Sequence, residues 1–135
     1  MRVDKNTSYL AGESLVAGEL SRRGYPVSIT MGRAKSVDIY ADTAQGKIAV
    51  DTKPLQNKTD WPIRKDAINK DQLYRFVFLQ TKKGINENKS PECFVANGEE
   101  LLSRMETWKT RQGIKYSSLK NGKDFENGWG ELPPP

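Results

Sequence analysis

The stretch Val37-Asp38-Ile39-Tyr40-Ala41, followed by a short polar turn and then Ile48-Ala49-Val50-Asp51-Thr52-Lys53, decides the fold of this 135-residue chain. It reads as two strands joined by a tight connection, with Gly46 able to take the positive φ that a hairpin turn needs. The strands are therefore expected to be antiparallel neighbours. Side chains alternate faces along a strand, so Ile48, Val50 and Thr52 point one way while Ala49, Asp51 and Lys53 point the other. An acid and a base share one face, and the pairing can bring Asp38 close to Asp51.

Working outward toward the N-terminus, a helix is expected to run to Arg23, capped by Asn6, Thr7 or Ser8. At about 100° per residue its apolar face gathers Tyr9, Leu10, Val16, Ala17 and Leu20. Glu13 falls within that face, where a carboxylate must meet water, a cation or a partner, because burying it unpaired costs several kcal/mol. Glu19 projects to the side, within a turn of Arg22 and Arg23, as a solvated charge. Gly24 ends the helix and Tyr25 to Thr30 reads as a strand. The link 31–36 carries Arg33 and Lys35, two cations that could meet phosphates.

Toward the C-terminus, Pro54 removes a ladder donor and is expected to end its strand. Trp61-Pro62 is read as opening a helix along which Ile63, Ala67 and Ile68 recur. Tyr74 to Gln80 is the strongest buried-strand signal and Glu92 to Ala96 a shorter one, with a polar loop from Thr81 to Pro91 between them. Asn97 caps a further helix whose apolar face comprises Leu101, Leu102, Met105 and Trp108. Trp61, Trp108 and Trp129 are assigned to core or edge packing. A Lys/Gly/Ser-rich stretch runs from Gln112 to Asn127, and Leu132-Pro133-Pro134-Pro135 closes the chain as an extended tail. The alternation of periods predicts a single α/β (α+β) domain over 1–135, with a mixed four- or five-stranded sheet flanked by helices.

Composition narrows the chemistry. The chain has no histidine, which removes Ser-His-Asp and Cys-His catalysis and histidine metal sites. Its one cysteine, Cys93, sits in an apolar run and reads as a packing residue; a disulfide framework cannot be built from it. The formal charge of +5 fits a polyanionic partner without requiring one. No apolar run approaches a membrane span or a signal-peptide core, so a cytoplasmic protein without membrane contact is expected.

The order of a helix bearing Glu13, a strand, Val37-Asp38-Ile39, a step to Asp51-Thr52-Lys53, a helical segment and a further strand resembles the PD-(D/E)XK nuclease superfamily. In spacing it is similar to the archaeal Holliday-junction resolvases. The match covers about the first 80 residues. The resemblance implies a restriction-endonuclease-like core and a metal-dependent endonuclease acting on DNA, branched DNA included. Asp38 matches the first strand carboxylate, Asp51 the acid of the (D/E)-x-K pair, Lys53 its lysine and Glu13 the helix-borne glutamate of the resolvase branch. It also implies a Mg²⁺ or Mn²⁺ ion held by Asp38, Asp51 and the Thr52 carbonyl, with Glu13 on the ion or its water and Lys53 on the attacking water or the phosphate charge. The expected partner is DNA, with Arg33 and Lys35 as contacts and a homodimer left open. The chain departs from the pattern in three places: Asp51 replaces the more usual glutamate, Val37 stands where a proline would precede the first aspartate, and Pro54 follows Lys53. The competing expectation is a catalytically silent nuclease fold that binds DNA or protein.

Overall fold

In the computed structural model, residues 4–30, 37–55, 60–81, 88, 90–122 and 124–135 are described. The first helix, α1 (Lys5–Arg22), begins one turn earlier than the sequence suggests: the Asp4 carboxylate accepts from the Asn6 N–H at 2.9 Å and is the cap. Its buried stripe is Ser8, Gly12, Val16, Ala17 and Leu20, whereas the expected Tyr9 and Leu10 are 43% and 66% exposed. The reason is a close approach. A Cβ on Gly12 would lie 3.0 Å from the Cβ of Pro54, so the first half of the helix docks through its small residues.

Strands β1 (Val27–Ile29), β2 (Ile39–Thr43) and β3 (Gly46–Leu55) follow. The hairpin is the one expected, closing at Thr43 opposite Gly46, whose φ is 121°. Contrary to expectation, β3 runs through Pro54 to Leu55. Backbone groups along a strand alternate sides: the Val50 carbonyl and the Thr52 N–H both face β2, so the missing N–H of Pro54 does too. The last β2 pairing is Ile39 with Val50, and a strand tolerates proline where its ladder partner has ended.

The short β4 (Trp61–Pro62) and a 3-10 turn over Lys65–Ala67 replace the helix expected after Trp61. Ile63 and Ile68 are buried but Ala67 is exposed, as in an extended segment with one turn rather than an amphipathic helix. Strand β5 (Tyr74–Gln80) is buried along its whole length and β6 (Glu92–Ala96) pairs with it, both as expected. The polar loop between them falls mostly on 82–87 and 89, outside the described residues. Helix α2 (Gly98–Arg104) carries the Asn97 cap, closed as a capping box with Glu100, but it stops before Met105. Trp108 therefore lies in β7 (Glu106–Trp108), not on the helix; β8 (Arg111–Ile114) and the one-turn helix α3 (Tyr116–Lys120) occupy the start of the Lys/Gly/Ser-rich stretch. The tail is extended and docked: Tyr25 Oη donates to the Pro133 carbonyl at 2.6 Å and Ala44 N to that of Pro134 at 2.7 Å.

The main sheet is mixed and five-stranded, in the order β1-β2-β3-β5-β6, with β3 and β5 parallel and the other pairs antiparallel. A second sheet of order β4-β8-β7 was not legible in the sequence. One face of the main sheet packs Ile39, Ile48, Val50, Val77 and Leu79 against Val16, Ala17 and Leu20 of α1. The other buries Phe76, Phe78 and Phe94 with Trp61, Leu101, Ile114 and Leu119 from the later elements. No helix among the described residues is long and apolar enough to cross a membrane.

Candidate active site

Asp38 stands immediately before β2, and its aim comes from an irregularity there. The Asp38 N–H donates to the Val50 carbonyl at 3.2 Å, although the ladder already sets Ile39 opposite Val50. Two residues thus face one, the arrangement of a β-bulge, which re-aims a side chain. The Asp38 carboxylate reaches across to β3, where its Oδ2 accepts from Thr52 N at 2.7 Å and from Thr52 Oγ1 at 3.1 Å. Thr52 is 5% exposed, so these bonds hold the acid in a fixed place.

Asp51 projects from β3 on the face away from α1, within hydrogen-bonding reach of Asp38. Burial pushes its carboxyl up from 3.8 to about 6; the neighbouring Lys53 ammonium works against that rise and the Asp38 charge adds to it. Lys53 Nζ lies 3.1 Å from Asp51 Oδ2. The Lys53 backbone is gripped as well, because its carbonyl accepts from the Trp61 indole N–H at 2.9 Å. Trp61 is itself wedged edge-on against Phe78, with centroids 5.1 Å apart.

Tyr74 was not singled out by the sequence. It starts β5, in register with Ala49, and its hydroxyl hydrogen-bonds Asp51. Burial raises this phenol to about 12, with the Asp51 and Asp38 charges next in effect, so it remains a donor to the acid below that pH. Only a parallel pairing of β3 with β5 puts the two together, and no local pattern announces it.

Of the residues singled out from sequence, the fold thus brings Asp38, Asp51, Thr52 and Lys53 to one place. Glu13 is half-buried on α1. That helix packs on the opposite face of β3 from Asp51, its neighbour Gly12 lying against Pro54. Among the described residues no three His, Cys, Asp or Glu side chains are gathered closely enough to hold a metal ion, so Glu13 does not join the two aspartates as a third ligand. Arg33 and Lys35 lie outside the described residues. Elsewhere, Glu19 pairs with Arg22 and Arg23 at 2.6 and 2.8 Å, and burial lifts the Cys93 thiol to about 11, consistent with a packing role.

No family model matches the chain, and none of the curated proteins is similar to it in sequence. Among solved structures, a bacterial homing endonuclease, I-Ssp6803I, is similar over 96% of this chain and 91% of its own, with a TM-score of 0.56 and 15% identity. At that identity the likeness is one of fold. The chain shares the fold of that structure, and it sets two acids and a lysine together at its β2–β3 hairpin.

Proposed function

We propose that the protein is a metal-dependent DNA endonuclease of the PD-(D/E)XK type, hydrolysing phosphodiester bonds. The observation that carries this reading is the Asp38–Asp51–Lys53 cluster, built on a bulged hairpin within a nuclease fold. The donor set fits a hard divalent cation. Two carboxylates in contact, one of them held above its ordinary range by burial, are relieved by added positive charge. Asp38, Asp51 and the Thr52 carbonyl are the residues that would hold Mg²⁺ or Mn²⁺. When bound, the cation supplies Lewis-acid charge that offsets the charge developing on phosphate.

The side chains do the rest. Thr52 fixes Asp38 through two hydrogen bonds, and Tyr74 fixes Asp51. Lys53 directs its ammonium to the attacking water and to the transition-state oxygens. Glu13, half-buried on the helix side of β3, is given no ligand role beside the aspartates. Arg33 and Lys35 hold the DNA backbone, and a homodimer would present two such sites to two strands.

The test is nicking of branched and linear duplex DNA with Mg²⁺ or Mn²⁺. Lys53→Ala should lower the rate by roughly two to three orders of magnitude, the scale for losing one electrostatic stabiliser, with little change in DNA affinity. One observation favours a second reading: among the described residues no third carboxylate joins the two aspartates, and Lys53 is already ion-paired with one of them. A wild type that binds DNA tightly but cleaves no substrate would make the protein a silent binding module.

A further inference from the structure

One hydrogen bond links the cluster to a second concavity. Trp61, which donates to the Lys53 carbonyl, pairs through β4 with Ile114 of β8, and β8 returns into β7. Around this small sheet Asp60, Pro62, Trp108, Arg111 and Gln112 line an open pocket of about 480 Å³, within the size range of small-molecule sites. Trp108 and Arg111 form the closing pair of the β7–β8 hairpin, so an indole and a guanidinium stand side by side on one wall. The indole has a seat: a Cβ on Gly113 would lie 3.1 Å from the Trp108 ring and 2.4 Å from the Trp61 carbonyl. Gln112 is oriented by accepting from Lys65 N at 3.0 Å, and Asp60 by accepting from Tyr116 N at 3.4 Å.

The turn residue Lys109 holds φ 52°, as the first position of a two-residue hairpin loop requires. Among the described residues, neither Lys109 nor Arg111 is ion-paired with a carboxylate. The pocket therefore offers an aromatic face, an uncommitted cation and fixed hydrogen-bonding groups, which are the requirements of a base, a phosphate and a base edge.

We propose that this pocket binds a single unstacked nucleotide of the DNA strand that passes over Asp51 and Lys53, with the base on Trp108 and its phosphate on Arg111. The proposal takes the identity of the polymer from the endonuclease reading. It adds a contact to one base beyond the cluster, and with it a preference for single-stranded, mismatched or branched positions where a base is already free.

The full chain is titrated with a short oligothymidylate, a matched duplex and thymidine monophosphate, following both tryptophan emission and anisotropy of labelled DNA. Trp61 and Trp129 are 2% and 4% exposed, so quenching on binding reports Trp108. The oligonucleotide should quench. Trp108→Ala should remove the quenching and weaken binding roughly ten- to a hundredfold, the range for losing one stacked base. Trp108→Phe should bind within a few-fold of wild type, which separates stacking from a folding defect. Arg111→Gln should reduce the slope of log affinity against log salt by about one. Unchanged emission at saturating oligonucleotide, or a folded Trp108→Ala variant that binds as tightly as wild type, overturns the site even if the wild type nicks DNA. Quenching by thymidine monophosphate as strong as by the oligonucleotide assigns the pocket to free nucleotides and overturns the strand reading. Quenching by the oligonucleotide in a wild type that cleaves nothing supports the pocket while the catalytic reading fails.

Discussion

Asp51 is in tension with its surroundings: burial raises its carboxyl to about 6, and ionising it in the folded protein costs about 3 kcal/mol relative to the unfolded chain. The sign follows from proton binding. Between about pH 4 and pH 6 the folded state holds this proton and the unfolded state does not, so stability falls as pH rises through that window. Urea unfolding of wild type and Asp51→Asn should show it: the variant lacks the fall, and near pH 7.5 without metal it should be the more stable protein, by up to that amount. An Asp51→Asn protein less stable than wild type at pH 7.5 would contradict the assignment. At this scale the sequence serves well where contacts are local. Asp38, Asp51 and Lys53 sit on one hairpin, and period-two alternation suffices to co-locate them. Tyr74 is not announced in the same way, because its contact with Asp51 depends on a parallel pairing between distant segments. Placing Glu13 on a buried face is correct in part, but which face of β3 that helix covers does not follow from periodicity.

Two glycines of α1 make an internal control on how the helix meets β3. A Cβ added to Gly18 would meet nothing within 4 Å, whereas one on Gly12 would meet Pro54 at 3.0 Å. Gly18→Ala should therefore gain about 0.5–1 kcal/mol from helix propensity alone. Gly12→Ala should lose at least that gain, because the helix must retreat from the strand, and thermal or urea melts of the two variants should move in opposite directions. On β3, Thr52→Val keeps shape and removes the Oγ1 bond to Asp38; a stability loss of about 1 kcal/mol is expected, with weaker Mn²⁺ binding by isothermal titration. The elements least legible were those whose identity depends on a remote partner. Trp61-Pro62 carries the signature of a helix start, yet Trp61 is drawn into a strand by Ile114 and into the core by Phe78 and Phe94. Trp108 is a different case, misread over a short range: it fits a helical face by spacing, but the Asn97 helix ends at Arg104 and Trp108 closes a local hairpin with Arg111.

The whole molecule divides its work between the two faces of one sheet: α1 supports β3 from one side, and the later elements grip the Lys53 backbone from the other. If the paired acids take a divalent ion, binding should stabilise the entire fold by mass action. A thermal melt at neutral pH should rise by a few degrees in millimolar Mn²⁺ or Mg²⁺ over a chelator control, and Asp38→Ala should abolish the rise. Substituting Arg33 and Lys35 together should leave that shift intact while weakening DNA binding and reducing its salt slope by about two. The mixed sheet, its hairpin and the buried strand Tyr74–Gln80 were readable because each is announced by its own residues; the second sheet was not, because its three strands are short and β4 lies far in sequence from the β7–β8 hairpin it joins. The proline after Lys53 has one more effect. Where β3 outruns β2, no strand among the described residues pairs with it on that side, and an unpaired side is one that another chain could join by adding hydrogen bonds, a common start of aggregation. Pro54 has no N–H to offer on that side, so a second molecule extending the ladder past Thr52 would lose a hydrogen bond there. The cluster's flank is thereby protected from strand addition without a charge being spent there.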